Sequence, residues 1–180
     1  ELEAALALLE AADMISARGN PPEVIYTFKH ALVQEAAYST LLISRRQALH
    51  KRICETLQSK FAQIAEVQPE LLAHHFAEAG LTDQAIDWWK RAALRSTARY
   101  NNIEAVSQFN RALALLTLLA RDSSTQHREF ELRIALIEPL YATSGYSGIE
   151  VEQNYARLLE LGQDLGETPQ SLRILWGRAG

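Results

Sequence analysis

Apolar side chains recur three and four residues apart along most of this chain, the spacing that lays them on one face of an α-helix. The clearest run covers residues 71–119. Leu72, Ala73 and Phe76 share one face, Ala85, Trp89 and Ala92 a second, and Ala105, Phe109 and Ala112 a third. Alanines let neighbouring backbones approach, and a large ring fills the space beside them. The connections are only a few residues long, so these three helices are predicted to pack as antiparallel neighbours.

The same pattern extends outward. Leu2, Leu6 and Leu9 make a stripe in residues 2–14, which the sequence Arg18-Gly19-Asn20-Pro21-Pro22 follows and breaks. Residues 24–28, Val-Ile-Tyr-Thr-Phe, form the one credible strand, because they are β-branched and aromatic. Residues 15–17 are placed to pair with it across the Gly-Asn-Pro-Pro turn, as a small hairpin. Residues 31–42 return to helix. Leu49, Ile53, Leu57 and Phe61 then recur every fourth residue behind a capping pattern at Ser44 and Gln47.

Boundaries further on are marked by their own chemistry. Pro69 suits a first helical position and Gly80 a stop. Thr82 with Asp83, and Asn102 with Glu104, open two helices. Ser123 or Ser124 caps a helix bearing Phe130, Ile134, Ile137 and Tyr141, and Pro139 is expected to kink or end it. Ser147 and Glu150 read as a second capping box ahead of Val151, Tyr155, Leu158 and Leu159; Gly166 closes that helix, and Thr168-Pro169 caps another. Helix pairs thus begin near Ser44, Thr82, Ser124 and Thr168, at intervals of roughly forty residues against the ~34 of the commonest helical repeat.

Trp89, Ala92 and Ala93, followed by Ala105, Phe109 and Ala112, resemble the large residue, small pair and Ala-Phe-Ala triplet of a tetratricopeptide repeat. Leu72, Phe76, Ala85 and Trp89 are similar one helix earlier. The pattern departs at Ser96 and at Thr117, where Tyr and Pro are usual. The resemblance implies an all-α fold of antiparallel helix pairs in a right-handed superhelix, with an ordinary helical bundle as the alternative.

Composition narrows the function classes. The 180 residues are 48% hydrophobic and 22% charged, ordinary for a soluble globular chain. A net charge of −4 argues against broad nucleic-acid binding. The single cysteine, Cys54, has no intrachain partner, which favours a reducing, cytoplasmic setting. No apolar run approaches the ~20 residues of a membrane span. Both ends read as cut: residue 1 falls inside a periodic segment, and Leu172, Leu175 and Trp176 await a partner helix. A piece of a longer polypeptide is therefore expected.

Little points to catalysis. Phosphate-binding glycine loops and nucleophile elbows are absent from the sequence. His74 and Glu78 share a helical face while His75 points about 100° away, so only two metal ligands converge and no metal or cofactor is expected in this segment. His75 is expected to pack and His74 to face solvent. Cys54 is read as a core residue. Arg45, Arg46, Lys51 and Arg52, with His50, form a basic cluster that suits a solvated face or the docking of an acidic partner, with DNA as the sharper alternative. Trp88 and Trp89 occupy adjacent helical sectors; Trp89 is expected inward, and Trp88 either between helices or as a binding hot spot.

Residues 26–50, YTFKHALVQEAAYSTLLISRRQALH, resemble the winged-helix end of signal-transduction ATPases of the STAND group. Their pattern Tyr-x-Phe-(Arg/Lys)-His-Ala-Leu-(Ile/Val)-Gln, then Ala-Tyr, Leu-Leu, Arg and Leu-His, is present in full. Residues 69–80 and 142–170 resemble the helical array that follows in that family. The resemblance implies a winged-helix remnant at residues 1–43 and a tetratricopeptide-like array at 44–180. It implies a non-catalytic segment that couples nucleotide state to a helical sensor and controls an output such as a class III adenylate or guanylate cyclase. ATP or ADP with Mg would belong to the parent, and partners would be a protein or peptide on the array and the parent's own ATPase and cyclase domains. His30 would sense the β-phosphate of ADP, although Ala31 stands where the family's motif usually has Asp. Independently, His30 lies where strand gives way to helix, near the helix's positive end, where an anion can be held. The alternative is a winged-helix transcriptional regulator on DNA.

Overall fold

The computed structural model describes residues 2–20 and 24–166. Among them are nine helices and one two-stranded sheet, so the chain is mostly α-helical with a short hairpin. It divides into two compact units, residues 1–46 and 47–180.

In the first unit, α1 (Leu2–Ala11) precedes β1 (Ile15–Arg18), β2 (Ile25–Phe28) and α2 (Ala31–Ser39). The strands pair antiparallel with Ile15 opposite Phe28 and Arg18 opposite Ile25. Lys29 N–H donates to the Met14 carbonyl at 3.0 Å, carrying the ladder one step further. Asp13 adopts φ 60° at the entrance, a left-handed conformation that Asp tolerates better than most residues. Ile15 is buried, whereas the side chains of β2 are all exposed and neither α1 nor α2 buries a residue.

Helix α3 (Ile43–Lys60) begins in the first unit and continues into the second, where α4 (Ala62–Val67), α5 (Pro69–Glu78), α6 (Thr82–Ala98), α7 (Asn102–Leu116), α8 (Ser123–Ser144) and α9 (Ile149–Asp164) follow. From α5 onward each helix packs on the next, and α6 also touches α8. Small residues make this possible: Ala73, Ala85, Ala93, Ala105 and Ala112 are fully buried beside Leu72, Trp89 and Phe109. Phe76 and Ala92 complete the expected face. A second cluster joins α8 and α9 through Phe130, Ile137, Leu158 and Leu161.

Helix ends follow backbone geometry more than side-chain motifs. Pro69 opens α5, and Gly80 (φ 73°) and Gly166 (φ 72°) follow α5 and α9 in the left-handed conformation that glycine adopts freely. Four expectations need correction. Ser44 lies inside the first turn of α3, because the helix starts at Ile43. The cap of α8 is Asp122: its carboxylate accepts from Thr125 N–H at 2.8 Å, and Thr125 Oγ1 accepts from Asp122 N–H at 2.9 Å. The cap of α9 is Gly148 rather than Ser147, and Glu150 instead accepts from the Ser144 hydroxyl at 2.5 Å. A Cβ at Gly148 would lie 2.7 Å from Ser144 Cβ, so only glycine admits this close return of the chain. Finally, of the two outcomes expected at Pro139, a kink or an end, the end does not occur: α8 runs on to Ser144 with Pro139 buried. The expectations for Thr168-Pro169, Leu172, Leu175 and Trp176 fall outside the described residues.

Candidate functional site

Strand β2 delivers His30 to the N-cap of α2. Its backbone is extended (φ −128°, ψ 122°), and its carbonyl accepts from Val33 N–H at 3.1 Å and Gln34 N–H at 3.2 Å. The imidazole makes no cap hydrogen bond and is exposed. It therefore does not serve its own helix as a side-chain cap, and it stands at the positive end of a nine-residue helix. Beside it, Lys29 forms an ion pair with Asp13. That bond and the charge of Lys29 hold the Asp13 carboxyl below its usual range, with a smaller contribution from His30.

The basic cluster does not act as one patch. His50 is buried and leaves the cluster for the interior. Arg46 sets its guanidinium 5.0 Å over the Tyr38 ring. Arg45, Lys51 and Arg52 are exposed, and on α3 Lys51 projects about 100° away from Arg52.

Trp89 is 4% exposed, with the Arg111 guanidinium 4.7 Å over its ring. Trp88 is half-buried against the core and carries Arg91 at 4.6 Å. With Glu66, Pro69, Leu94 and Arg95, these two residues line a surface cavity of about 420 Å³. Arg95 donates to the Glu66 carbonyl at 2.9 Å and ties α6 to α4 there.

Two groups escaped the reading of the sequence. His50 and His75 bring their Nδ1 atoms to 2.8 Å, one donating and the other accepting. The exposed His74 ring is 5.4 Å from that of His75. Burial first, then the charges of His50 and His74, push His75 down to about 4, against the opposing charge of Glu78. Nothing in a periodic pattern signals a partner on another helix. The other group centres on Glu129 of α8. Its carboxylate accepts from Arg133 Nε at 2.8 Å, from Arg157 Nε at 2.8 Å and from a terminal nitrogen of Arg157 at 2.9 Å. The Arg157 bonds above all hold Glu129 below the usual carboxylate range. The i, i+4 spacing of Glu129 and Arg133 was legible; Arg157 on α9 was not. Arg133 and Arg157 also line a cavity of about 390 Å³ between α7, α8 and α9, walled by Leu113, Leu116 and Leu119.

Cys54 is buried in the core, and burial pushes its thiol up to about 11. It is thus a protonated packing residue at neutral pH. Among the described residues no group of three or more His, Cys, Asp or Glu side chains is placed to hold a metal, and no helix is long and apolar enough to cross a membrane.

The chain is 28% identical over 179 residues to an uncharacterized protein of Rhizobium meliloti (strain 1021), a match covering 95% of this chain. The chain spans 17% of that relative's length. No family model and no solved structure matches it.

Proposed function

We propose that this chain is a non-catalytic regulatory segment of a multidomain, cytoplasmic signalling ATPase. In this reading residues 1–43 belong to a winged helix that contacts bound nucleotide, and the helical array at 44–180 receives a protein or peptide signal. The output is a cyclase or a comparable domain of the same polypeptide. ATP or ADP with Mg is held by the ATPase domain, and His30 reaches its phosphate.

The observation that carries the reading is the state of His30. A side chain at the N-cap of a helix that neither caps it nor packs is available to an external anion, and the helix end favours that anion. The motif-like surroundings of His30 and the helical array downstream support the same reading. So does the match to one part of a much longer relative.

A charge-assisted hydrogen bond to phosphate contributes roughly 1.5–3 kcal/mol. Its loss shifts a closed-to-open equilibrium about 10- to 100-fold. His30→Ala is therefore expected to speed ADP release from the full-length parent and raise its signalling without stimulus. The melting of the isolated chain should stay unchanged, because the phosphate is not part of it. Unchanged ADP release in the parent would end the sensor reading.

A further inference from the structure

We propose that the open face of α3 docks an amphipathic helix with acidic flanks, supplied by a partner protein. The inference goes beyond the nucleotide-coupled reading and stands or falls independently of it.

The sequence places Leu49, Ile53, Leu57 and Phe61 four residues apart, about one helical turn, which normally marks a buried stripe. Here the buried side of α3 is the adjacent one, where His50 and Cys54 enter the core. Leu49, Ile53 and Phe61 are left 38%, 39% and 48% exposed. They are not scattered: Leu49, Arg52, Ile53, Thr56, Leu57 and Phe61 line one open hollow of about 350 Å³.

Charge identifies the occupant. Arg52 is exposed and lines the hollow, and the exposed Lys60, seven residues after Ile53, falls on the same side of the helix. The lone carboxylate of α3, Glu55, is two positions from Ile53 and so projects about 200° away. An apolar hollow whose nearby charged side chains on its own helix are cations complements an apolar stripe flanked by carboxylates. Arg52 and Lys60 are eight residues apart, about 12 Å along the axis. The partner therefore carries carboxylates about two turns apart, flanking large apolar residues one turn apart. A concave hollow receives individual side chains, whereas a lipid surface calls for a projecting apolar ridge.

The test uses the full chain and a fluorescein-labelled synthetic helix with Leu at i and i+4 and Glu at the flanks. Fluorescence anisotropy should give saturable binding with Kd on the order of 10–100 μM at low salt, weakening several-fold at 0.5 M salt. Ile53→Asp, at an exposed position, should raise Kd at least about tenfold while circular dichroism stays unchanged. Arg52→Glu should weaken the Glu peptide and restore binding of a peptide with Lys at the same flanks. That exchange of charge keeps the proposal falsifiable even if the Ile53 variant folds poorly. No saturation below about 1 mM would overturn the proposal. So would binding that Ile53→Asp leaves intact, preference of the unaltered chain for the Lys peptide, or tighter binding of phosphatidylserine vesicles or duplex DNA than of the Glu peptide.

Discussion

The hairpin unit and the helical array are built on different terms. In residues 2–46 Ile15 is the one buried apolar side chain among those described; every other lies beyond residue 47. The first unit is ordered by backbone pairing between β1 and β2, extended by Lys29, with an exposed ion pair to Asp13. The array is ordered by side-chain volume, with small and large residues from successive helices buried in one cluster. Backbone ladders tolerate almost any side chain on their open face, whereas close-packed interiors register a single missing methylene. The array can therefore hold a shape, and the hairpin unit can present residues such as His30 without paying for them in packing.

Substitutions should separate the two regions, beginning in the core. Trp89→Ala empties a site that is 4% exposed and should cost about 3–5 kcal/mol by chemical denaturation. A loss under about 1 kcal/mol would mean that the array does not depend on its large residues.

The next effect is one of pH. An unfolded histidine titrates near 6.5, while His75 is held at about 4 in the fold. Below pH 6.5 the unfolded chain therefore takes up a proton that the folded chain refuses. Stability present above pH 6.5 should fall progressively until about pH 4, by on the order of 2–3 kcal/mol. His75→Gln should flatten this part of the profile in thermal melts. If wild-type and variant profiles stay parallel between pH 7 and 4.5, the histidine pair is not the source.

Glu129→Gln should cost about 1–2 kcal/mol, since two arginines on α8 and α9 lose their charged acceptor while a neutral one remains. A salt titration should show the wild-type and the variant converging at high ionic strength. The smallest change belongs to the hairpin: Ile25→Ala, at a side chain 69% exposed, should stay within about 0.5 kcal/mol. A larger loss would mean that the hairpin unit relies on side-chain packing after all.

The candidate sites were legible unevenly. His30 was picked out by the resemblance of its surroundings to a family motif; local sequence specified only that it lies where strand gives way to helix. Arg45, Arg46, Lys51 and Arg52 read as one cluster because they are close in sequence, yet their helix spreads them over different directions and Arg46 turns to Tyr38. Trp88 stayed open between two roles, and its half-burial against the core reflects the neighbours that α6 acquires.

Local sequence alone determined the helices other than the short α4, the hairpin and the inward residues of α5, α6 and α7. Periodicity and the backbone preferences of Pro69, Gly80 and Gly166 act within a few residues and need no partner. The choice of face on α3 was decided only by tertiary structure. That helix carries two adjacent stripes, Leu49–Ile53 and His50–Cys54, and the more hydrophobic one lost. A 3.6-residue period shows that a helix has an apolar side, but the packing around it decides which stripe is buried. The same holds for His50 meeting His75 and for Glu129 gathering Arg157: each joins helices far apart in sequence, and their geometry exists only once those helices have packed.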